Sequence, residues 1–329
     1  MSDGADVTRR AGAPAAGRMR RELPVELGVA VVLAVVIAFF SICAPDFRTV
    51  DNWGLLAKQL AELAVISSGM TLVIATGGID ISVGSVLAFC AMTLGWLVVH
   101  AHWRLEAAIV AAIVTGAAWG LLNGLLIAVT KLQPIIVTLA TFAAARAGAT
   151  MFNAGGSISD IRLTLLNRTF DNTDFLHLPL LLWVSLAALF ASGATLQWSR
   201  FGRELLALGG NRTAARLSGM RTLKTETLVY VLNGALAGFA AVLNTAYNST
   251  ATPDAGQFRE MTAITAVVLG GTVITGGQAT MVGTGLGVLT ICALLSGVRL
   301  MGQEDQMAWL LVGAALLLAV VVQKLRRRQ

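Results

Sequence analysis

Gly77-Gly78-Ile79-Asp80-Ile81-Ser82-Val83-Gly84-Ser85 decides how this chain is read. The stretch is polar and glycine-rich, yet it lies between two long apolar runs, residues 60–76 and 86–99. At membrane depth an irregular backbone survives only where protein or water satisfies its amide groups. An ionisable Asp there costs about 2.5–3.5 kcal/mol on insertion scales if it reaches the bilayer centre. The break is therefore expected at a cavity or pathway rather than against lipid. That makes Gly77, Gly78, Asp80, Ser82 and Ser85 candidate pathway residues.

A fainter copy of the same pattern lies far downstream. Gly77-Gly78 with Val83-Gly84-Ser85 and Leu87 recurs, at identical spacing, as Gly276-Gly277 with Val282-Gly283-Thr284 and Leu286. Matching breaks in two halves of a transporter point to the substrate pathway, so Gly276, Gly277 and Thr284 join the candidates. The competing reading is chance, because glycine is frequent in membrane helices. If the repeat is real, the two breaks approach each other beside a central pathway.

The rest of the composition fits this setting. Of 329 residues 56% are hydrophobic and 13% charged, against roughly 25% charged in soluble domains. A membrane helix needs about 20 apolar residues. Apolar runs near 25–43, 57–76, 83–101, 105–130, 134–152, 178–197, 225–249, 261–275, 281–300 and 306–323 predict an all-α integral membrane protein of about ten transmembrane helices, with a range of eight to ten. The eighth run is short and glycine-rich and is expected to be broken or re-entrant.

Charge sets the orientation. With the N-terminus inside, 16 of the 24 Lys and Arg residues fall in inner segments, 7 in outer ones, and Arg146 within a span. This asymmetry predicts N-in and C-in. The domain reading is a basic cytoplasmic tail (1–24), one transmembrane domain (25–323) and a short basic cytoplasmic tail (324–329). The domain carries an outer loop at 153–177 and an inner loop at 199–224. The first apolar run lacks a small-residue cleavage site and reads as an uncleaved helix. The basic residues sit in short clusters between spans, so nucleic acid is not an expected partner; membrane lipid is.

Other residues carry weaker signals. Gly116, Gly120 and Gly124, like Gly234 and Gly238, are spaced by four, which lets helix backbones approach closely. Asn123 and Asn233 each precede one of these glycines and either bond a neighbouring helix or line the pathway. Arg146 stands within a span and needs a partner inside the bundle; it either grips substrate hydroxyls or closes an ion pair. Cys43, Cys90 and Cys292 are far apart and read as small apolar residues. His100 and His102 have no third ligand nearby, so no metal site is expected. The chain has no G-x-x-x-x-G-K-[ST] and not one Gly-Lys dipeptide, so ATP hydrolysis by a P-loop would belong to another subunit.

The inner loop contains Phe201-Gly202-Arg203-Glu204-Leu205-Leu206-Ala207-Leu208-Gly209-Gly210-Asn211-Arg212-Thr213-Ala214-Ala215-Arg216-Leu217-Ser218-Gly219. Glycine breaks bracket a short helix-like stretch, residues 212–218. Asn211 suits an N-cap and Gly219 a C-terminal stop. Ala214, Ala215 and Ser218 would give it a narrow face. Arg212 and Arg216, four apart, share a face on which acidic groups of a partner could sit. The bland alternative is a solvated basic loop.

These segments together resemble the permease subunits of bacterial sugar ABC importers, the ribose/xylose/arabinose/galactose branch. The resemblance runs from about Phe47 to Val320. It includes the first break, the inner loop, Gly120-Leu121-Leu122-Asn123-Gly124-Leu125-Leu126, Pro134-Ile135-Ile136-Val137-Thr138-Leu139 and Thr265-Ala266-Val267-Val268-Leu269-Gly270-Gly271-Thr272. The chain departs from the family pattern at Gln133, where Asn is usual, and at Ala140 and Ala279, where Gly is. The resemblance implies a multi-pass protein of the bacterial inner membrane that is not itself an enzyme. It implies a cytoplasmic ATPase carrying ATP and Mg, a periplasmic sugar-binding protein, and a second permease subunit, identical or paralogous. It also implies that the inner loop, with Gly202, Arg203, Gly209, Gly210, Asn211, Arg212, Ala214, Ala215, Arg216, Ser218 and Gly219, engages the ATPase. The rival readings are a branched-chain amino-acid ABC permease, which shares the architecture, and an ion-coupled secondary carrier.

Overall fold

The computed structural model describes residues 25–170, 174–175 and 178–326. Most of the two terminal tails read from the sequence lies outside the described residues. Thirteen α-helices are found among those described. In chain order they are α1 (Val25–Cys43), α2 (Val50–Ala75), α3 (Val83–Val99), α4 (Leu105–Thr130), α5 (Pro134–Met151), α6 (Ile161–Phe170) and α7 (Leu180–Trp198). They continue as α8 (Arg200–Gly210), α9 (Arg212–Leu217), α10 (Thr222–Asn248), α11 (Arg259–Leu269), α12 (Met281–Leu300) and α13 (Asp305–Arg326).

Eight of these, α1, α2, α4, α5, α7, α10, α12 and α13, are long and apolar enough to cross a membrane. The other two expected spans are shorter. α3 has 17 residues, and α11 has 11. α11 stops because Gly270-Gly271 turns the chain, with Gly271 in the left-handed region at φ +94°, where a side chain would be strained. The chain then runs without helix to Thr280, whose Oγ1 accepts the Gly283 N–H and starts α12.

Local chemistry sets the other ends. Thr49 Oγ1 accepts the Asn52 N–H at the start of α2, and Ser199 Oγ accepts the Gly202 N–H at the start of α8. Pro134 occupies the first turn of α5, where its missing N–H leaves no bond unmade.

α2 is the hub. Its apolar window is 89% buried, against 11–28% for α1, α4, α5, α7 and α13. It packs on α7, α10, α11 and α12, and the poorly buried helices form an apolar outer belt. The most extensive packing joins α4 to α10. A carbon added at Gly116 would run into the Gly234 carbonyl, one at Gly120 into the Tyr230 carbonyl, and one at Gly238 into the Ala112 carbonyl. The glycines spaced by four are thus a packing seam, as their spacing predicts.

Connections sort to two ends. At one, Ser296 Oγ donates to Asn52 Oδ1 at 2.6 Å, and the two-residue strands Ile158–Ser159 and Thr250–Ala251 pair antiparallel. At the other, the Gly277 N–H donates to Ala75 O at 3.0 Å, Thr280 Oγ1 donates to Glu26 Oε1 at 2.9 Å, and α8 packs beneath α7 and α2.

Candidate functional site

The first break folds around its own aspartate. Asp80 Oδ1 accepts the Ser82 N–H at 2.9 Å and the Ser82 hydroxyl at 2.6 Å. Its Oδ2 accepts Asn233 Nδ2 from α10 at 2.8 Å. Asn123 Nδ2, from α4, donates to Ser82 Oγ at 2.9 Å. Thr138 Oγ1, from α5, reaches Ile79 O at 3.3 Å. Asp80, Ser82, Ser85, Asn123, Asn233 and Tyr230 are all buried. Asp80 thus fixes the residue that precedes α3, whose carbonyl accepts the Val86 N–H, rather than an amide inside its first turn. The cluster keeps unused capacity: Ser85 Oγ, Asn123 Oδ1, Asn233 Oδ1 and Tyr230 Oη have no partner among the described residues.

The glycines on either side differ in what they require. Gly77 takes φ +80°, a conformation that favours glycine. Gly78 does not; it is needed for space, because a carbon added there would meet the Tyr230 hydroxyl.

The second break lies directly against the first. Gly276 and Gly277 take φ +83° and +81°. A carbon on Gly276 would strike the backbone of Gly77 and the Cα of Gly209, and one on Gly277 would strike Gly210. Above this contact Thr284 Oγ1 shares a 2.8 Å hydrogen bond with Thr71 of α2. Ala279 lies outside the left-handed region, so its departure from glycine costs the loop nothing in backbone conformation.

Arg146 stands elsewhere. Its Nη1 donates to Pro253 O at 2.8 Å and Ala255 O at 3.0 Å, in the connection between α10 and α11. Glu260 and Asp254 are its nearest acidic influences. Structure therefore gives it a role in tying α5 to that connection, and does not join it to Asp80.

A buried charge cluster escaped the sequence reading. Glu62 on α2, only 4% exposed, forms an ion pair with Arg259 of α11 at 2.9 Å and accepts Asn244 Nδ2 of α10 at 2.9 Å. The signal was present, since Glu62 is the one carboxylate in the run 57–76. Its partner is not legible, because Arg259 lies 197 residues away and no local pattern places α11 beside α2.

The inner segment holds two helices, not one. α8 runs through Gly209 and Gly210, which were expected to break it; a carbon added at Gly209 would strike the Ala75 carbonyl and the backbone of Gly276 and Gly277, whereas one at Gly210 would meet nothing. α9 follows with the predicted cap, Asn211 Oδ1 accepting the Ala214 N–H at 3.0 Å, and ends at Gly219 with φ +80°. Gly202 packs on the α7 backbone. Arg212 is paired with Glu226 of its own chain, and Ala215 is buried against its own chain. The outward groups are Arg203, Ala214, Arg216, Ser218 and Leu217, the last 84% exposed.

Among the described residues no group of three or more His, Cys, Asp or Glu could hold a metal. Residues 55–321 match the family described as Branched-chain amino acid transport system / permease component. The chain is 36% identical over 301 residues to Ribose import permease protein RbsC of Escherichia coli K12, covering 89% of this chain and 91% of that one. It is 34% identical to the protein of the same name from Bacillus subtilis, over 91% and 92%. It is 32% identical to L-arabinose ABC transporter permease protein AraH of Azospirillum brasilense, over 92% and 88%. No solved structure matches significantly.

Proposed function

The chain belongs to the branched-chain amino acid transport system / permease component family, and on that premise we propose that it is the permease subunit of an ATP-driven importer for a monosaccharide. It is a multi-pass protein of the inner membrane and a transport subunit rather than a catalyst of bond chemistry. The observation that carries the sugar reading is the 36% identity over 89% of the chain to a ribose import permease. A branched-chain amino-acid cargo is not favoured, because the relatives just described are named for ribose and arabinose.

In this reading all ten helical runs cross or enter the bilayer, N-in and C-in, with α11 as a half-span. A periplasmic binding protein delivers sugar to the end that carries the connection 153–177. A cytoplasmic ATPase sits on α8 and α9, and a second permease subunit completes the pathway. The two abutting breaks form the moving part. Asp80, Ser82, Asn123 and Asn233 hold the first break's shape, and their unused acceptors become available as it opens. Gly77, Gly78, Gly276, Gly277, Ser85 and Thr284 belong to the same moving part, while Arg146 ties α5 to the connection between α10 and α11.

The test is reconstitution with an ATPase and a binding protein in proteoliposomes, with labelled pentoses and hexoses. Uptake should require ATP and the binding protein. Uptake driven by a sodium or proton gradient in their absence would sink the proposal.

A further inference from the structure

A cavity of about 1050 Å³ opens beside the inner segment, between α8, the turn after α9 and the start of α10. Four cations line it, Arg200, Arg203, Arg221 and Lys224, against a single carboxylate, Glu204. That carboxylate is already committed: it pairs with Arg200 at 3.2 Å and accepts the Thr225 hydroxyl at 2.8 Å. Among the described residues Arg203 reaches only a backbone carbonyl, Trp198 O at 3.4 Å, and Arg221 and Lys224 are exposed. The pocket is therefore concave, strongly positive and uncompensated.

Its walls are not wholly polar. Phe201, Met220 and Leu228 are among the lining residues. Beside it, Trp198 is 69% exposed at the end of α7 and packs edge-to-face on Phe190 at 6.1 Å, the arrangement of an interfacial aromatic anchor. Charged floor, apolar wall and interfacial tryptophan together match an amphiphile with an anionic head. A soluble anion would leave Phe201 and Leu228 uncovered.

We propose that this pocket binds the phosphodiester headgroup of an anionic phospholipid of the inner leaflet, with Arg203, Arg221 and Lys224 around the phosphate and the acyl chains running along α7 and α10. Basic pockets at cytoplasmic helix ends are suited to such headgroups. The leaflet rests on the orientation proposed above; the binding itself does not.

The test starts from the purified full chain in detergent, without ATPase or sugar, so that failure of the transport reading leaves it intact, and adds an ATPase subunit only as a final competitor. Native mass spectrometry would score retention of cardiolipin, phosphatidylglycerol and phosphatidylcholine. Cardiolipin and phosphatidylglycerol should be retained in preference to phosphatidylcholine. The pair Arg221→Gln with Lys224→Gln should weaken that retention roughly ten-fold or more, as loss of two cations beside an anionic head implies. Arg221→Lys with Lys224→Arg should keep it, and both pairs should melt like the parent in lipid-free detergent. Three results would overturn the proposal: equal retention by the glutamine pair, full displacement of lipid by millimolar inorganic phosphate, or displacement by a stoichiometric ATPase subunit.

Discussion

At the scale of single residues, Asp80 and Glu62 make opposite predictions. Asp80 is held by hydrogen bonds alone, so Asn can replace it: Asn233 has an idle Oδ1 and its amide can turn to receive the new donor. Asp80→Asn should insert normally and keep most ATP-driven uptake. Asp80→Leu strands the Ser82 amide and should cost about 1–3 kcal/mol, read as a lower melting temperature in detergent. Equal melting of the two variants would refute this account. Glu62 is held by a charge. Glu62→Gln leaves the half-buried Arg259 without its counter-ion and should cost about 3 kcal/mol, the low end for a buried pair, whereas Glu62→Leu with Arg259→Met should recover much of the loss. A double variant no more stable than Glu62→Gln would show that the pair does more than balance charge.

Asp160, between the strand Ile158–Ser159 and α6, offers a pH test. Hydrogen bonds from the Arg162 side chain and backbone hold its carboxyl below the usual aspartate range. A carboxylate depressed in the folded state contributes stability above its unfolded pKa, and that stability disappears as pH falls through the folded value. Amide protection of residues 158–163 should therefore persist from neutrality down to acidic pH. Arg162→Gln should lose protection at a higher pH than the parent; loss at the same pH would count against the pairing.

At the scale of elements, the inner segment is where the structure changes the choice of experiment. Ala215 faces its own chain, so enlarging it would test packing rather than docking. Leu217 is the better probe, being almost fully exposed on α9. Leu217→Asp should leave insertion and melting unchanged and abolish co-purification with the ATPase; retained co-purification would remove α9 from the interface. The element scale also shows what sequence can carry. Apolar runs marked every long helix because lipid demands them, and glycines spaced by four marked the α4–α10 seam because only small residues permit that approach. The site was half legible. Asp80 and its serine are neighbours in sequence, and Asn123 and Asn233 were visible as amides within spans. Tyr230, Glu62 and Asn244 were not, because their meaning depends on which helices adjoin, and no local pattern encodes adjacency.

At the scale of the whole molecule, the alternation of helix ends makes orientation testable. In a chain lacking its own cysteines, Glu304→Cys lies in the turn between α12 and α13 and Arg216→Cys lies on α9, at opposite ends. An impermeant maleimide should label the first in intact cells and the second only after permeabilisation. The reverse pattern would invert the proposed topology.

The three-way contact of Gly77, Gly276 and Gly209 is made by main-chain atoms. Side chains absorb displacement by changing rotamer; backbone pressed on backbone has no such slack. The junction resembles gear teeth cut without backlash. If α8 is the element the ATPase pushes, its stroke reaches both breaks at once and undiminished, so inner movement and opening of the pathway form one event rather than a relay. Such a mesh also allows little wear: a single methyl group at position 209 would separate the teeth and leave a motor turning without a load.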